Sequence, residues 1–120
     1  DKLGKTTSYT YDNLGRVTKQ TDPDPDGAGA LSAPVTTFAY DANSRLTSVT
    51  DPLGNVTSYT YDNLGRTTKR TDPDPDGGGS LTSPVTQWAY DAASRMTSIT
   101  DPLGNVTSFS YDNLGRMTQQ

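Results

Sequence analysis

The chain has 120 residues, a formal net charge of −4 and only 30% hydrophobic residues, so a large globular core is not expected. It has neither cysteine nor histidine, which excludes disulfides, thiolate chemistry and the commonest transition-metal ligand. All fourteen acidic residues are aspartate, and an acidic chain with a pI near 4.5 is not expected to bind nucleic acid, which requires clustered Lys or Arg.

Short runs rich in threonine, valine and aromatic residues follow one another along the chain, and each is predicted to be a strand. The segments between many of them begin with aspartate and have glycine or serine as their fourth residue, a pattern that favours a tight turn. No window shows the apolar stripe of a helix. The sequence therefore predicts an all-β fold of repeated antiparallel β-hairpins, with strands near residues 6–11, 16–21, 35–40, 45–50, 55–61, 66–71, 85–90, 95–100, 105–111 and 116–119.

Internal repetition is the strongest signal in the sequence, because 36 of the first 50 positions are identical to the residue 50 positions further along. Within this period a Tyr-Asp pair recurs at spacings that alternate between 29 and 21 residues. The longer spacing comes from a loop at residues 22–36, which takes the place of residues 51–57. We therefore expect residues 1–120 to be one array without separate domains, with both ends cut from a longer chain.

The Tyr-Asp motif is predicted to form a hairpin tip, with tyrosine ending one strand and arginine beginning the next. The aspartate should cap the turn and pair with the arginine, and glycine suits the exit geometry of the turn. Because the motif recurs, we interpret it as structural and predict no catalytic residue. Its members are Tyr11, Asp12, Gly15 and Arg16; Tyr61, Asp62, Gly65 and Arg66; Tyr111, Asp112, Gly115 and Arg116; and, in a version without glycine, Tyr40, Asp41 and Arg45, and Tyr90, Asp91 and Arg95.

The ten aromatic residues fall into five pairs, and a spacing of two within each pair places both rings on one face of a strand. Rings of successive hairpins should line up across strands, where aromatic and β-branched neighbours contribute about 0.2–1 kcal/mol each. We expect this row to hold the array together. The pairs are Tyr9 and Tyr11, Phe38 and Tyr40, Tyr59 and Tyr61, Trp88 and Tyr90, and Phe109 and Tyr111.

The repeated sequence DPDPDG, at residues 22–27 and 72–77, matches the first half of a calcium-binding loop, where alternate carboxylates turn toward one cation. The closing acid is missing, because Ala33 and Ser83 stand six residues after each glycine. A solvated loop stiffened by proline is the alternative, and the missing acid favours it. The candidate calcium ligands are Asp22, Asp24, Asp26, Asp72, Asp74 and Asp76.

Two further features have open interpretations. The triplets beginning at Asn55 and Asn105 match the N-glycosylation pattern, although each could simply begin a strand. Leucines within turns should be covered by neighbouring turns; otherwise they would form one apolar stripe able to bind a second copy. These leucines are Leu14, Leu53, Leu64, Leu103 and Leu114.

The segments YDNLGRVT, YDANSRLT, YDNLGRTT, YDAASRMT and YDNLGRMT resemble the repeats of the Rhs family, also called YD repeats. The resemblance covers the whole chain. It implies a continuous spiralling β-sheet that builds a hollow shell, as in bacterial polymorphic toxins, insecticidal toxin complexes and the teneurins. Because the repeats here are nearly identical, uniform curvature makes a solenoid-like tube or fibre the alternative to a closed shell.

We therefore expect a non-enzymatic structural segment of a secreted or cell-surface shell or fibre. Encapsulation of a toxin is one alternative, and adhesion to glycans or surfaces is another. We expect self-association with neighbouring repeats or copies through open edge strands, no transmembrane segment, and no cofactor apart from the candidate calcium ions.

Overall fold

The computed structural model describes residues 6–27 and 31–120, and within those ranges it consists of strands and turns without a helix. It confirms the all-β prediction of repeated antiparallel hairpins. A helix with the length and apolar character needed to span a membrane is accordingly not found in the described part of the chain. The strands are β1 (Ser8–Tyr11), β2 (Val17–Thr21), β3 (Val35–Tyr40), β4 (Leu46–Thr50), β5 (Val56–Tyr61), β6 (Thr67–Thr71), β7 (Val85–Tyr90), β8 (Met96–Thr100), β9 (Val106–Ser108), β10 (Ser110–Tyr111) and β11 (Met117–Gln119).

The chain divides into two compact units, residues 1–57 and 58–120. In the first unit, β1 to β4 lie side by side in chain order, and each strand is antiparallel to the next. Since the chain reverses at each step, the turns at 12–16 and 41–45 lie at one edge of the sheet, that is, at the side formed by the ends of the strands. The loop at 22–34 lies at the opposite edge.

The second unit repeats this arrangement. Strand β5 runs across the boundary between the two units, at residues 57 and 58. Strands β5 to β9 follow in chain order, and each pairs antiparallel with the next. Strands β10 and β11 form a separate hairpin. One predicted strand, at residues 105–111, is wrong as a continuous element, because it is interrupted at Phe109, whose N–H donates a hydrogen bond to the Thr97 carbonyl at 2.8 Å.

The two faces of each sheet differ in chemistry, because directly opposed residues share a face. In the first unit Phe38 lies opposite Val49, and Tyr40 lies opposite Leu46. Trp88 with Ile99, and Tyr90 with Met96, repeat these pairs in the second unit. The expected row of rings therefore has a mixed form, in which β-branched and other aliphatic side chains stand directly across from the aromatic ones.

The other face is polar: Thr37 lies opposite Thr50, and Ala39 lies opposite Ser48. None of the described residues is buried, and most side chains of the apolar face are half-buried. Each unit is thus a single layer of sheet without an enclosed core. Its stability must come from contacts between neighbouring strands and turns.

Candidate functional site: a clamp between neighbouring hairpins

Each motif turn is built by its own residues. The Asp12 N–H donates to the Arg16 carbonyl, and the Gly15 N–H donates to the Asp12 carbonyl, both at 3.0 Å. The Asp12 carboxylate accepts hydrogen bonds from the N–H groups of Leu14 and Arg16, at 2.9 and 3.0 Å. Gly15 has a φ of +77°, which glycine adopts without steric cost. This is a tight turn closed by a left-handed residue, a common hairpin connection.

The two motif turns without glycine form the same hydrogen bonds. Ser44 and Ser94 take the left-handed position, each with a φ of +63°. The Ser44 N–H donates to the Asp41 carbonyl at 3.0 Å, as glycine does elsewhere. A residue with a side chain pays about 1–2 kcal/mol for this conformation, so these turns carry strain that the glycine turns avoid.

Within each motif turn the arginine pairs with the aspartate that caps it. The Nε atom of Arg16 donates to the second carboxylate oxygen of Asp12 at 2.7 Å, and the other four motif arginines make the same bond at 2.6–2.8 Å. The backbone N–H of Arg16, and then its side chain, hold the pKa of Asp12 below the ordinary 3.8 against the opposing effect of burial. The aspartate is therefore ionised and fully engaged in the turn.

The same arginine also reaches the next hairpin. Arg16 donates from Nη1 to the Asp41 carbonyl at 3.1 Å, and its guanidinium carbon lies 4.8 Å from the centre of the Tyr40 ring. The Tyr40 hydroxyl donates back to the Val17 carbonyl at 2.9 Å. We call these three interactions together the clamp. The arginine donates to the backbone carbonyl of the next motif's aspartate and stacks on the ring of its tyrosine, and the tyrosine hydroxyl donates to the carbonyl of the residue after the arginine.

The clamp occurs twice more within the second unit. Arg66 donates to the Asp91 carbonyl at 3.1 Å and stacks 4.7 Å from the Tyr90 ring centre. Arg95 has the same relation to Asp112 and Tyr111, at 3.4 and 4.8 Å. Tyr90 and Tyr111 return their hydroxyl hydrogen bonds to the carbonyls of Thr67 and Met96, at 2.9 and 2.7 Å.

Turns at the opposite edge lack the clamp. In the turn at residues 51–55, asparagine replaces arginine, and the Asn55 side-chain amide donates to the Asp51 carboxylate at 2.9 Å. This bond lowers the pKa of Asp51, followed by the bond from the Asn55 backbone N–H. Asn105 and Asp101 repeat the arrangement at 2.8 Å. Asparagine is too short to reach beyond its own turn, and both glycosylation candidates use their amide nitrogen in this way.

The six candidate calcium ligands make contacts within their own loops or with the adjoining strand. Asp74 and Asp76 accept hydrogen bonds from the N–H groups of Asp76 and Leu81, at 3.2 and 3.0 Å. Asp72 pairs with Arg70 at 2.5 Å.

The first loop has the same kind of contacts. Asp24 and Asp26 accept from the N–H groups of Asp26 and Leu31, and Asp22 accepts from the Gln20 side chain. Residues 28–30 of this loop lie outside the described residues. In the described ranges no three side chains of a metal-binding type come together. Calcium binding stays a prediction.

The leucines within turns do not behave as expected. Their exposed fraction runs from 68% for Leu64 to 88% for Leu103, so neighbouring turns do not cover them in the structure. Nor do they form a single row. In the second unit Leu64 and Leu114 lie at the edge of the motif turns while Leu103 lies at the opposite edge, because antiparallel strands alternate direction. Leu14 and Leu53 are divided in the same way in the first unit.

An open recess of about 410 Å³ lies beside the C-terminal hairpin, and its lining offers hydroxyl and amide groups but no titratable side chain. It therefore supplies no acid or base for chemistry. The lining residues are Val106, Thr107, Ser108, Ser110, Gln119 and Gln120.

Sequence reasoning placed the arginine beside its own aspartate but missed its contact with the next hairpin. A signal was available, because tyrosine precedes the aspartate wherever arginine follows the turn. Thr50 and Thr100 stand at the equivalent position of the turns that end in asparagine. The ring and the guanidinium therefore occur together or not at all.

Comparison with protein families gives one description for most of the array. The family model RHS Repeat matches residues 1–28, 40–78, 80–106 and 90–120. Every matched segment contains at least one complete motif turn. Among curated proteins, none gives a significant match to the chain.

Proposed function

Because the chain belongs to the RHS repeat family, we propose that it is a wall segment of a secreted or cell-surface β-sheet shell or fibre. The family is a structural repeat family, and its repeats occur generally in secreted or cell-surface proteins. The chain itself contributes a thin sheet whose repeating unit is the hairpin.

The clamp is the observation that carries this proposal. In the clamps of Arg16, Arg66 and Arg95, the arginine, the aspartate that pairs with it and the tyrosine of the next motif are used to hold a hairpin to its neighbour or to close a turn. Hydrogen bonds to a charged group contribute about 1.5–3 kcal/mol each when protected, and a cation over an aromatic ring adds about 0.5–1 kcal/mol at an exposed site. A side chain committed in this way is suited to building a wall.

Electron microscopy of the native protein that carries this array tests the proposal. We expect hollow particles or continuous threads whose wall is one sheet thick. Closed particles would favour encapsulation of a toxin, and threads would favour a fibre. Globular particles without such a wall would contradict the proposal.

Adhesion predicts a different result. It requires rings that a ligand can reach, whereas Tyr40 and Tyr90 lie beneath arginine side chains and donate their hydroxyl groups to the backbone. Trp88 is the single tryptophan and lies half-buried on the apolar face, so its fluorescence reports on any ligand that reaches this face. We expect no change when glycans are titrated, and a saturable change would support adhesion instead.

A further inference from the structure

One turn of the first unit contains a strained residue that the motif alone does not explain. Ser44 takes the left-handed position of the turn at residues 41–45 with a φ of +63°, where three of the five motif turns have glycine. Among residues with a side chain, asparagine and aspartate adopt this conformation most readily, because their short polar groups bond to the nearby backbone. A contact that glycine cannot make would account for the serine.

Such a contact joins Ser44 to the preceding hairpin. The Nη1 atom of Arg16 donates to the Ser44 hydroxyl oxygen at 3.2 Å, beside its bond to the Asp41 carbonyl at 3.1 Å. One nitrogen of the guanidinium therefore binds two acceptors on the next turn, one from the backbone and one from a side chain. The arginine and the serine lie 28 positions apart in the sequence.

Neighbouring motif turns lie so that the left-handed position of one is beside the arginine of the other. In the turn that has glycine at this position, Nη1 of Arg95 lies 3.9 Å from the point that a Cβ atom of Gly115 would occupy. Proximity alone does not form the bond. Ser94 has the same φ of +63°, yet in the described part of the chain Arg66 bonds to the Asp91 carbonyl and not to the Ser94 hydroxyl.

We propose that Ser44 supports the clamp of Arg16 as a positioning residue, whose hydroxyl holds the guanidinium over the Tyr40 ring. The inference rests on the proposed function, because it assigns a part in the cohesion of the sheet to a residue outside the Tyr-Asp-Arg set. The contact offsets the strain at Ser44, since a hydrogen bond to a charged group is stronger than one between neutral groups.

The contact lies across the longest connection of the first unit. Strands β2 and β3 are joined by the loop at residues 22–34, whereas a tight turn joins β3 to β4. Closing a longer connection costs more conformational entropy. The bond from Arg16 to Ser44 links the turns on either side of this loop, so it stabilises the strand pairing that the loop itself supports least.

A double-mutant cycle tests the proposal. Arg16→Ala and Ser44→Ala are made singly and together, and urea denaturation followed by circular dichroism gives the equilibrium constant of unfolding for each variant. Because residues in direct contact are coupled, we expect Ser44→Ala to change this constant about threefold less when Arg16 is already alanine. Additive effects of the two substitutions would overturn the proposal.

The second unit offers a matched control cycle. Arg66→Ala and Ser94→Ala change the same two positions of an equivalent pair of turns, in which the hydroxyl bond is not formed. Their effects should be additive within the error of the measurement. Equal coupling in the two cycles would overturn the proposal, because it would show that the bond to the Ser44 hydroxyl is not its source.

Substitutions of serine alone separate the contact from the strain, and they leave the arginine in place. Ser44→Gly removes both, so it should stabilise the chain less than Ser94→Gly, which only relieves strain. Ser44→Asn suits the left-handed conformation and keeps an oxygen acceptor, so it should retain the stability that Ser44→Ala loses. An equal gain from Ser44→Gly and Ser94→Gly would show that the Ser44 hydroxyl contributes nothing, even if Arg16→Ala disrupts the sheet.

The outcomes also separate this inference from the proposed function. If the effects of Arg16→Ala and Ser44→Ala are additive while Arg66→Ala destabilises the fold, Ser44 has no part in the clamp and the wall proposal stands. If the effects are coupled but electron microscopy of the native protein shows no sheet-like wall, the contact is correct and the proposed function is wrong.

Discussion

The turns at the two edges of the sheet have the same backbone structure but different functions. In the turn at residues 62–66 and the turn at 101–105, an aspartate accepts the same two backbone hydrogen bonds and a glycine takes a positive φ. The two turns differ in their last residue and in the residue before the aspartate, which are Arg66 and Tyr61 in one and Asn105 and Thr100 in the other. The hairpin itself thus depends on aspartate and glycine, whereas cohesion between hairpins depends on arginine and tyrosine.

The largest effect should come from removing the arginine of one clamp. Arg66→Ala removes the bond to Asp62, the bond to the Asp91 carbonyl and the stacking on Tyr90, so we expect a loss of about 2 kcal/mol in the free energy of unfolding. Urea denaturation followed by Trp88 fluorescence measures it.

Arg66→Asn is the matched control, because an asparagine there can still bond to Asp62 as Asn55 bonds to Asp51. It should lose most of the same stability if the contact with the next hairpin is what matters. Stability close to that of the unsubstituted chain would show instead that the clamp contributes little.

A smaller effect is expected from the hydroxyl group of the clamp. Tyr90→Phe keeps the ring beneath Arg66 but removes the hydrogen bond to the Thr67 carbonyl, which costs about 1 kcal/mol. Thermal unfolding compares it with Tyr59→Phe, which changes a tyrosine at a position outside the motif. Equal effects of the two substitutions would argue against a specific role for the motif hydroxyl.

Substitutions that change turn strain should alter stability by a similar or smaller amount than Tyr90→Phe does. Adding strain should destabilise the chain, and relieving it should stabilise the chain. Gly15→Ala forces a side chain into a φ of +77°, and since no atom lies within 4 Å of the added carbon, the expected loss of about 1 kcal/mol comes from the backbone alone. Ser94→Gly relieves the same strain at a φ of +63°, so it should stabilise the chain by a few tenths of a kcal/mol, after the entropy gained by the unfolded glycine is subtracted. Denaturant midpoints of both variants measure the difference, and a loss in both would contradict this account.

Acid should act on both edges with the smallest effect per turn. Hydrogen bonds hold the pKa values of Asp12 and Asp51 below 3.8, by the Arg16 backbone N–H first in one case and by the Asn55 side chain first in the other. A carboxyl whose pKa is lower in the folded chain contributes stability above pH 3.8, and this contribution is lost as the pH falls through the folded pKa. Melting temperatures measured from pH 7 to pH 2 should therefore be flat at first and fall below about pH 4.

Asp51→Asn should reduce the acid sensitivity, because the substituted side chain can still accept the backbone hydrogen bonds but no longer titrates. An undiminished pH response in that variant would place the effect elsewhere. Asp12→Asn makes the same test at the edge that carries the clamp.

Local patterns were sufficient to predict most of the fold. Threonine-rich runs placed nearly every strand within about two residues, because strand and turn preferences act over a few neighbours. The interruption at Phe109 was not predictable, since residues 105–111 are nearly identical to residues 55–61 and differ in their surroundings. Leucine exposure was wrongly predicted, because motif turns that lie on the same side of the sheet still leave their leucines 68–77% exposed.

The site was predictable only in part. Asp12 and Arg16 lie four positions apart, so their pairing follows from the turn. The contact of Arg16 with Tyr40 joins residues that are distant in sequence. It depends on the pairing register of β2 with β3, two strands that a long loop separates. Spacing within a motif does not reveal that register.

The longer connections show where such a chain tolerates change. Residues 72–84 leave and rejoin the sheet at one hydrogen bond, from the Asp72 N–H to the Pro84 carbonyl at 2.9 Å. Since doubling the length of a flexible connection costs only about 0.6 kcal/mol, peptide inserted at Gly78 should leave the pairing of β6 with β7 intact. The loop at residues 72–84 thus offers a graft point, through which new sequence can be displayed without redesigning the sheet beneath it.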